Sequence, residues 1–64
     1  MITREDLLKR TKAYLDLHGY TLSWLADAMG VNVATVSRWF SGERNIGYKA
    51  FERLYSFMKL RIDI

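Results

Sequence analysis

Four glycines and the complete absence of proline are the features that most constrain this 64-residue chain. Glycine readily adopts the positive φ that commonly terminates a helix. Gly19, Gly30, Gly42 and Gly47 divide the chain into segments of helical length. No proline lies within those segments to remove a backbone hydrogen bond. The pattern predicts several short helices joined by tight turns.

Composition narrows the ways in which such a chain can be stabilised. There is no cysteine and only one histidine, His18, so disulfides and a Cys/His zinc site are excluded, and we expect no metal and no cofactor. Half of the residues are apolar, which argues against disorder. We therefore expect one domain, residues 1–64, that depends on dense helix packing and is helped by a partner subunit. The net charge of +3 permits a polyanionic partner without requiring one.

Nothing in the chain predicts export or membrane insertion. Residues 1–6 are charged where a signal peptide requires an apolar run. No uninterrupted apolar stretch approaches the length of about 18 residues that suggests a membrane span. We expect a cytoplasmic protein without a membrane partner.

Helical periodicity and the N-capping residues Thr3, Thr21 and Asn32 place four helical segments. The first runs from Thr3 to His18, the second over 21–29, the third from Val33 to residue 40 or 41, and the fourth from residue 46 or 47 to at least Met58. The apolar stripe of the first segment consists of Leu7, Leu8, Tyr14, Leu15 and His18. Residues 59–64 alternate polar and apolar side chains, which is a strand pattern, although Ile62 also continues the helical stripe. The prediction is an all-α bundle of four to five short helices, with a tail that is a short strand or a helix extension.

The segment from residue 22 to residue 42 has the spacing of two crossing helices. Ala26 lies four residues before Gly30, and Val36 lies six residues after it. A small side chain is needed where two helices cross steeply, and glycine suits the tight turn between them. These requirements predict a helix-turn-helix over about residues 21–41.

This segment resembles the helix-turn-helix of lambda-repressor/Cro-type DNA-binding proteins. The matching residues are Leu25-Ala26-x-x-Met29-Gly30-Val31-Asn32-x-x-x-Val36-Ser37-Arg38-Trp39-x-Ser41-Gly42. The similarity covers roughly residues 7–58, and it departs from the family pattern at two positions. Leu22 replaces a common phosphate-contacting glutamine, and Ile46 replaces a common proline.

The resemblance implies that the third helix enters the major groove of double-stranded DNA. Arg38 would then contact guanine, and Val33 and Ala34 would meet thymine methyl groups. The base-contacting residues that it implies are Asn32, Val33, Ala34, Thr35, Ser37 and Arg38.

Phosphate contacts are implied at the start of the second helix and after the third helix. The residues concerned are Thr21, Leu22, Ser23, Ser41, Arg44, Asn45 and Lys49. For Ser41 and Asn45, a capping or turn role is an equal alternative. No acidic residue occurs from Ala28 through Gly42, so this surface would not repel phosphates.

A Cro-like repressor in a bacterial or phage-infected cell, associated with the nucleoid, is the function that the resemblance implies. Such proteins usually bind operator half-sites as homodimers. The residues that we expect in the dimer contact are Leu60, Ile62 and Ile64. A protein-interaction module such as an antitoxin or anti-repressor is the main alternative, and a homeodomain-like protein is a weaker one. The scattered acids form no catalytic arrangement, so an enzyme is not expected.

Overall fold

The described part of the chain folds into four α-helices. The computed structural model describes residues 2–64, and within that range it contains no β-strand. The helices are α1 (Arg4–His18), α2 (Leu22–Met29), α3 (Val33–Ser41) and α4 (Tyr48–Met58). The all-α prediction is confirmed, at the lower end of the expected four to five helices.

Three of the four helices begin with the side-chain caps that the sequence predicts. The caps are Thr3, Thr21 and Asn32, and the side-chain oxygen of each accepts a backbone amide hydrogen bond of 2.7–3.1 Å. Such a cap satisfies one of the amides that a helix start leaves without an intrahelical partner. The start of α4 differs, because Gly47 provides no side-chain cap. The boundaries of α1 to α3 are therefore determined locally.

The turn between α2 and α3 has the predicted stereochemistry. Gly30 has a φ of 70°, in the left-handed region that glycine adopts without a Cβ penalty. The Val31 amide donates to the Ala26 carbonyl at 3.0 Å, which closes the end of α2. Ala26 is only 2% exposed, and Val36 is fully buried. The small residue, the glycine and the apolar residue thus occupy the positions that a tight helix crossing requires.

All four helices contribute to one core. Its buried apolar residues are Leu7, Leu15, Leu25, Ala26, Met29, Val36, Trp39, Ile46, Leu54 and Met58. Thr11 is buried as well, and its hydroxyl donates to the Leu7 carbonyl at 2.7 Å. The predicted stripe of α1 was wrong at His18, which is exposed and packs against Tyr14. Thr11 can be buried without an unsatisfied polar group, because the helix backbone accepts the hydrogen bond of its hydroxyl.

The tail is neither a strand nor a helix extension, so both expectations for it were wrong. Residues 59–61 form a turn after α4, and the Arg61 amide still donates to the Met58 carbonyl at 2.8 Å. Ile62 and Ile64 are half-buried against the core, whereas Leu60 is 80% exposed. The tail turns back because this buries apolar area that a straight helix or strand would leave in water.

Candidate nucleic-acid interface

One side of α3 is anchored in the core and the other side faces solvent. Val36 and Trp39 are buried. The solvent-facing residues are Val33, Ala34, Ser37 and Arg38. Positions i, i+1, i+4 and i+5 lie on adjacent rows of a helix surface, so these four side chains form one continuous face. We call these four residues the α3 face.

Two predicted base-contacting residues lie at the border of this face. The Asn32 side-chain oxygen accepts the Ala34 amide at 2.7 Å, which leaves its amide nitrogen as the available donor. Thr35 is half-buried between the exposed face and the core side of α3. The structure therefore brings four of the six residues together on an exposed surface and gives Asn32 a capping role.

Arg38 has an acidic neighbour that the sequence reasoning missed. Its Nε lies 4.0 Å from Oε2 of Glu43, and the two side chains are 51% and 72% exposed. Glu43 follows Gly42 and so lies one residue beyond the stretch without acids. The spacing of five residues between Arg38 and Glu43 was the available sequence signal for this contact. It is the turn at Gly42 that brings the two side chains together.

The start of α2 presents backbone amides beside Thr21. The Thr21 hydroxyl accepts the Trp24 amide at 3.1 Å. The first amides of a helix have no intrahelical acceptor, so those of Leu22 and Ser23 can bind an anion. The Leu22 side chain packs partly against the core, and Ser23 is exposed. Leu22 can therefore take part through its amide rather than through its side chain.

The loop after α3 is held to the last turn of that helix. Ser41 Oγ donates to the Arg38 carbonyl at 3.2 Å and accepts from the Glu43 amide at 3.4 Å. The Arg44 amide donates to the same Arg38 carbonyl at 3.2 Å. Ser41 thus has the contacts of a capping residue, while the Arg44 and Asn45 side chains are exposed.

A groove of about 590 Å³ separates this loop from α1. The predicted phosphate-contacting residues Ser41, Arg44 and Asn45 lie along it, and α1 adds Arg4 and Lys9. Lys12 also lines the groove but is paired with Asp16, at 3.1 Å. Glu5 of α1 also lines the groove, and the basic side chains that line it outnumber this acid.

Lys49 lies apart from the other predicted phosphate-contacting residues of the loop. It lines a different groove, beside Ala28 and Met29 at the end of α2. In that groove Arg53 donates from Nη2 to the Met29 carbonyl at 2.7 Å. This bond connects α4 to the residue that precedes the Gly30 turn, so Arg53 helps to position α2 against the rest of the fold. Periodicity marks Arg53 only as a surface residue, and no sequence signal predicts its role.

Residues 2–64 contain neither a cluster of metal-binding side chains nor a helix that could span a membrane. No three acidic or histidine side chains are grouped so as to hold a metal ion. In the same part of the chain, no helix combines the length and the apolar character that crossing a membrane requires.

The chain was compared with protein families, curated proteins and solved structures. A family model described as helix-turn-helix, of the Cro/C1 type, matches residues 12–64. No curated protein and no solved structure matches the chain. The family match covers most of the chain, including all of α2, α3 and α4. The buried crossing of α2 and α3, the Gly30 turn and this match together establish that the chain belongs to the Cro/C1-type helix-turn-helix family of DNA-binding regulators.

Proposed function

We propose that this protein is a Cro-like repressor that reads operator half-sites in the major groove with α3. The α3 face is the observation that carries the proposal. Val33 is 43% exposed although the opposite side of the same short helix supplies core residues. An exposed β-branched residue beside exposed Ala34 suits contact with thymine methyl groups. In this proposal residues 1–64 act as one domain, and residues 21–41 form its reading unit.

Base recognition is assigned to α3 and its cap. Arg38 has the donors for a bidentate contact to guanine O6 and N7, and Ser37 lies beside it on the same face. Asn32 and Thr35 lie at the border of the face, where Asn32 can donate from its amide nitrogen. These residues would recognise the base sequence of the operator, and the phosphate contacts around them would position the protein on the duplex.

Phosphate binding is assigned to both sides of the α3 face. At the start of α2, Thr21, Leu22 and Ser23 supply amides and hydroxyls at the positive end of the helix dipole. On the other side, the loop after α3 supplies Ser41, Arg44 and Asn45. We also propose Lys49, which lies apart from them in the groove beside the end of α2. The stretch from Ala28 through Gly42 contains no acid, which supports binding to a polyanion. A regulator of this kind acts at the nucleoid, in the cytoplasm of a bacterial or phage-infected cell.

Selection of bound sequences from a random double-stranded DNA pool tests the proposal. We expect an enriched motif with two related half-sites about one helical turn apart, and an affinity that falls steeply with salt. A reporter gene placed behind the selected operator should be transcribed less when the protein is expressed. No enriched motif, together with a salt dependence near zero, would contradict the proposal and favour an antitoxin or anti-repressor that binds protein.

Dimerisation through the tail is a separate part of the proposal. Leu60 is 80% exposed, while Ile62 and Ile64 pack partly against the core. We therefore assign the main subunit contact to Leu60, with the two isoleucines supporting it. Leu60→Ser should weaken dimerisation, measured by sedimentation equilibrium. It should also abolish cooperative operator binding, measured by electrophoretic mobility shift. The matched control is Leu17→Ser, since Leu17 on α1 is 81% exposed. Equal cooperativity in the two variants would contradict the assignment.

A further inference from the structure

Glu43 is an acidic side chain at the edge of a surface that otherwise avoids acids. No Asp or Glu occurs from Ala28 through Gly42, and the first acid after that stretch lies 4.0 Å from Arg38. A carboxylate near bound DNA repels phosphates, so its presence lowers affinity for any duplex. An exposed ion pair of this kind contributes little to folding stability. Folding stability therefore does not account for Glu43.

The backbone on both sides of Glu43 is tied to the last turn of α3. Its own amide donates to Ser41 Oγ at 3.4 Å, and the next amide, of Arg44, donates to the Arg38 carbonyl at 3.2 Å. Gly42 makes the turn with a φ of 80°, a conformation that favours glycine. The loop therefore fixes the Glu43 backbone beside the last turn of α3, with its exposed carboxylate within reach of the Arg38 guanidinium.

The side of the guanidinium that faces Glu43 determines which donors are left for DNA. The carboxylate lies nearest to Nε, the innermost of the three guanidinium nitrogens. Nη1 and Nη2 remain available at the outer end of the side chain. Two parallel donors at that end match guanine O6 and N7. A phosphate that approached Nε would meet the carboxylate instead.

We propose that Glu43 is a specificity-determining residue that positions Arg38 for guanine and prevents it from pairing with phosphate. The inference rests on the proposed function, in which α3 reads base pairs. Glu43 lowers affinity for all DNA by charge repulsion, and it returns part of that loss only where Arg38 meets guanine. The ratio of specific to non-specific affinity increases as a result, because discrimination gains from penalising the wrong partner.

Glu43→Gln tests the inference, because amide and carboxylate have similar size and only the charge is removed. The probes are the operator from the random-pool selection, the same operator with the base pair read by Arg38 replaced, and an unrelated duplex. We expect the affinity for the unrelated duplex to rise about fivefold, as for loss of one weak surface repulsion. The ratio of the two operator affinities should fall about fivefold or more. Glu43→Asp keeps the charge but shortens the reach, so it should retain the repulsion and lose the discrimination.

Two controls separate positioning of Arg38 from a change in net charge. Glu52→Gln removes one exposed acid from α4 and should leave the discrimination ratio unchanged. The double variant Arg38→Ala/Glu43→Gln should have the same discrimination ratio as Arg38→Ala alone, because Glu43 acts through Arg38. Thermal unfolding should be the same in Glu43→Gln and the wild type.

Failure of the Glu43 tests and failure of the proposed function can be told apart. A wild-type discrimination ratio in Glu43→Gln, or an equal change in Glu52→Gln, overturns the inference and leaves the proposed function intact. Failure of the selection to enrich any sequence overturns both. An enriched operator at which Arg38→Ala keeps its base preference also overturns the inference, since Arg38 would then not read a base.

Discussion

The α3 face and an aromatic cluster near the start of α2 both place non-polar atoms near the surface, but in different ways. The cluster consists of Tyr14, His18, Tyr20, Trp24 and Phe57. The rings contact one another in sequence, and the Tyr20 and Trp24 centroids are stacked 4.1 Å apart. Arg61 lies over the Phe57 ring at 3.8 Å. In the cluster the non-polar surfaces already cover one another, which stabilises the fold.

The α3 face lacks such mutual cover. Val33 and Ala34 are small and exposed, and on the same face only Arg38 has a polar side-chain partner, Glu43. Side chains left without intramolecular contacts contribute little to stability, but they are available to a ligand. Exposure alone therefore does not identify a binding surface in this protein. Substitutions in the cluster should affect stability, and substitutions on the α3 face should affect DNA binding.

The largest expected effect is on stability, from Trp24→Ala. Trp24 packs between Tyr20 and Phe57, and large-to-small changes of buried aromatic residues cost about 3–5 kcal/mol. Because Trp24 is half-buried, we expect the free energy of unfolding in urea to fall by roughly 2–3 kcal/mol. Trp24→Phe retains a stacked ring and should lose less. If both variants unfold at the wild-type urea concentration, the cluster does not have the stabilising role described above.

Arg38→Ala should show the opposite behaviour. Loss of a bidentate guanine contact is expected to cost about 1–3 kcal/mol of discrimination at one base pair. The free energy of unfolding should change by no more than about 0.5 kcal/mol, as for most exposed positions. Fluorescence anisotropy with the selected operator and its single-base variants measures the first quantity, and urea unfolding measures the second. An equal loss of affinity for every DNA would make Arg38 a phosphate contact instead.

Arg53→Gln is expected to affect both properties, because Arg53 supports the helix pair without lying on the α3 face. The lost hydrogen bond to the Met29 carbonyl should lower the free energy of unfolding by about 1 kcal/mol. Operator affinity should fall slightly at all base pairs, since α2 and α3 are positioned less well. Lys59→Gln is the control, because it removes a charge from the exposed end of α4. A wild-type unfolding curve for Arg53→Gln would show that the contact is not needed.

The smallest expected effect is that of Arg44→Gln on salt dependence. Removal of one phosphate contact should reduce the magnitude of the slope of log affinity against log salt by about 1, without altering base preference. The control is Lys59→Gln, which removes an equal charge from the exposed end of α4. Equal slopes in the two variants would indicate a general charge effect rather than a contact by the loop after α3.

Much of the fold could be predicted because its signals are local. A capping side chain reaches an amide two or three residues ahead, as Asn32 and Thr21 do. The α2–α3 crossing needs only Ala26, Gly30 and Val36, which lie within eleven residues of one another. The residues on the α3 face could be assigned for the same reason, since helical periodicity alone places them on one side.

The missed residues depend on contacts that periodicity does not specify. Glu43 reaches Arg38 only because the Gly42 turn reverses the chain. Arg53 and Met29 are separated by 24 residues, so their hydrogen bond requires α4 to pack against α2. The five-residue spacing from Arg38 was the only signal for Glu43. Arg53 has no distinguishing sequence pattern, because a charged residue on a helix surface is usually only solvated.

The sequence by itself determined the four helices, their first three caps, the turn at Gly30 and the exposed face of α3. Each of these results from interactions within a few residues, for which the chain has few alternatives. Only the tertiary structure decided the course of the tail, where Arg10 Nη1 bonds to the Asp63 carbonyl at 3.2 Å across 53 residues. The pattern of residues 59–64 fits a strand or a helix, and the tail forms neither. The choice depends on how much apolar area the completed core can still remove from water.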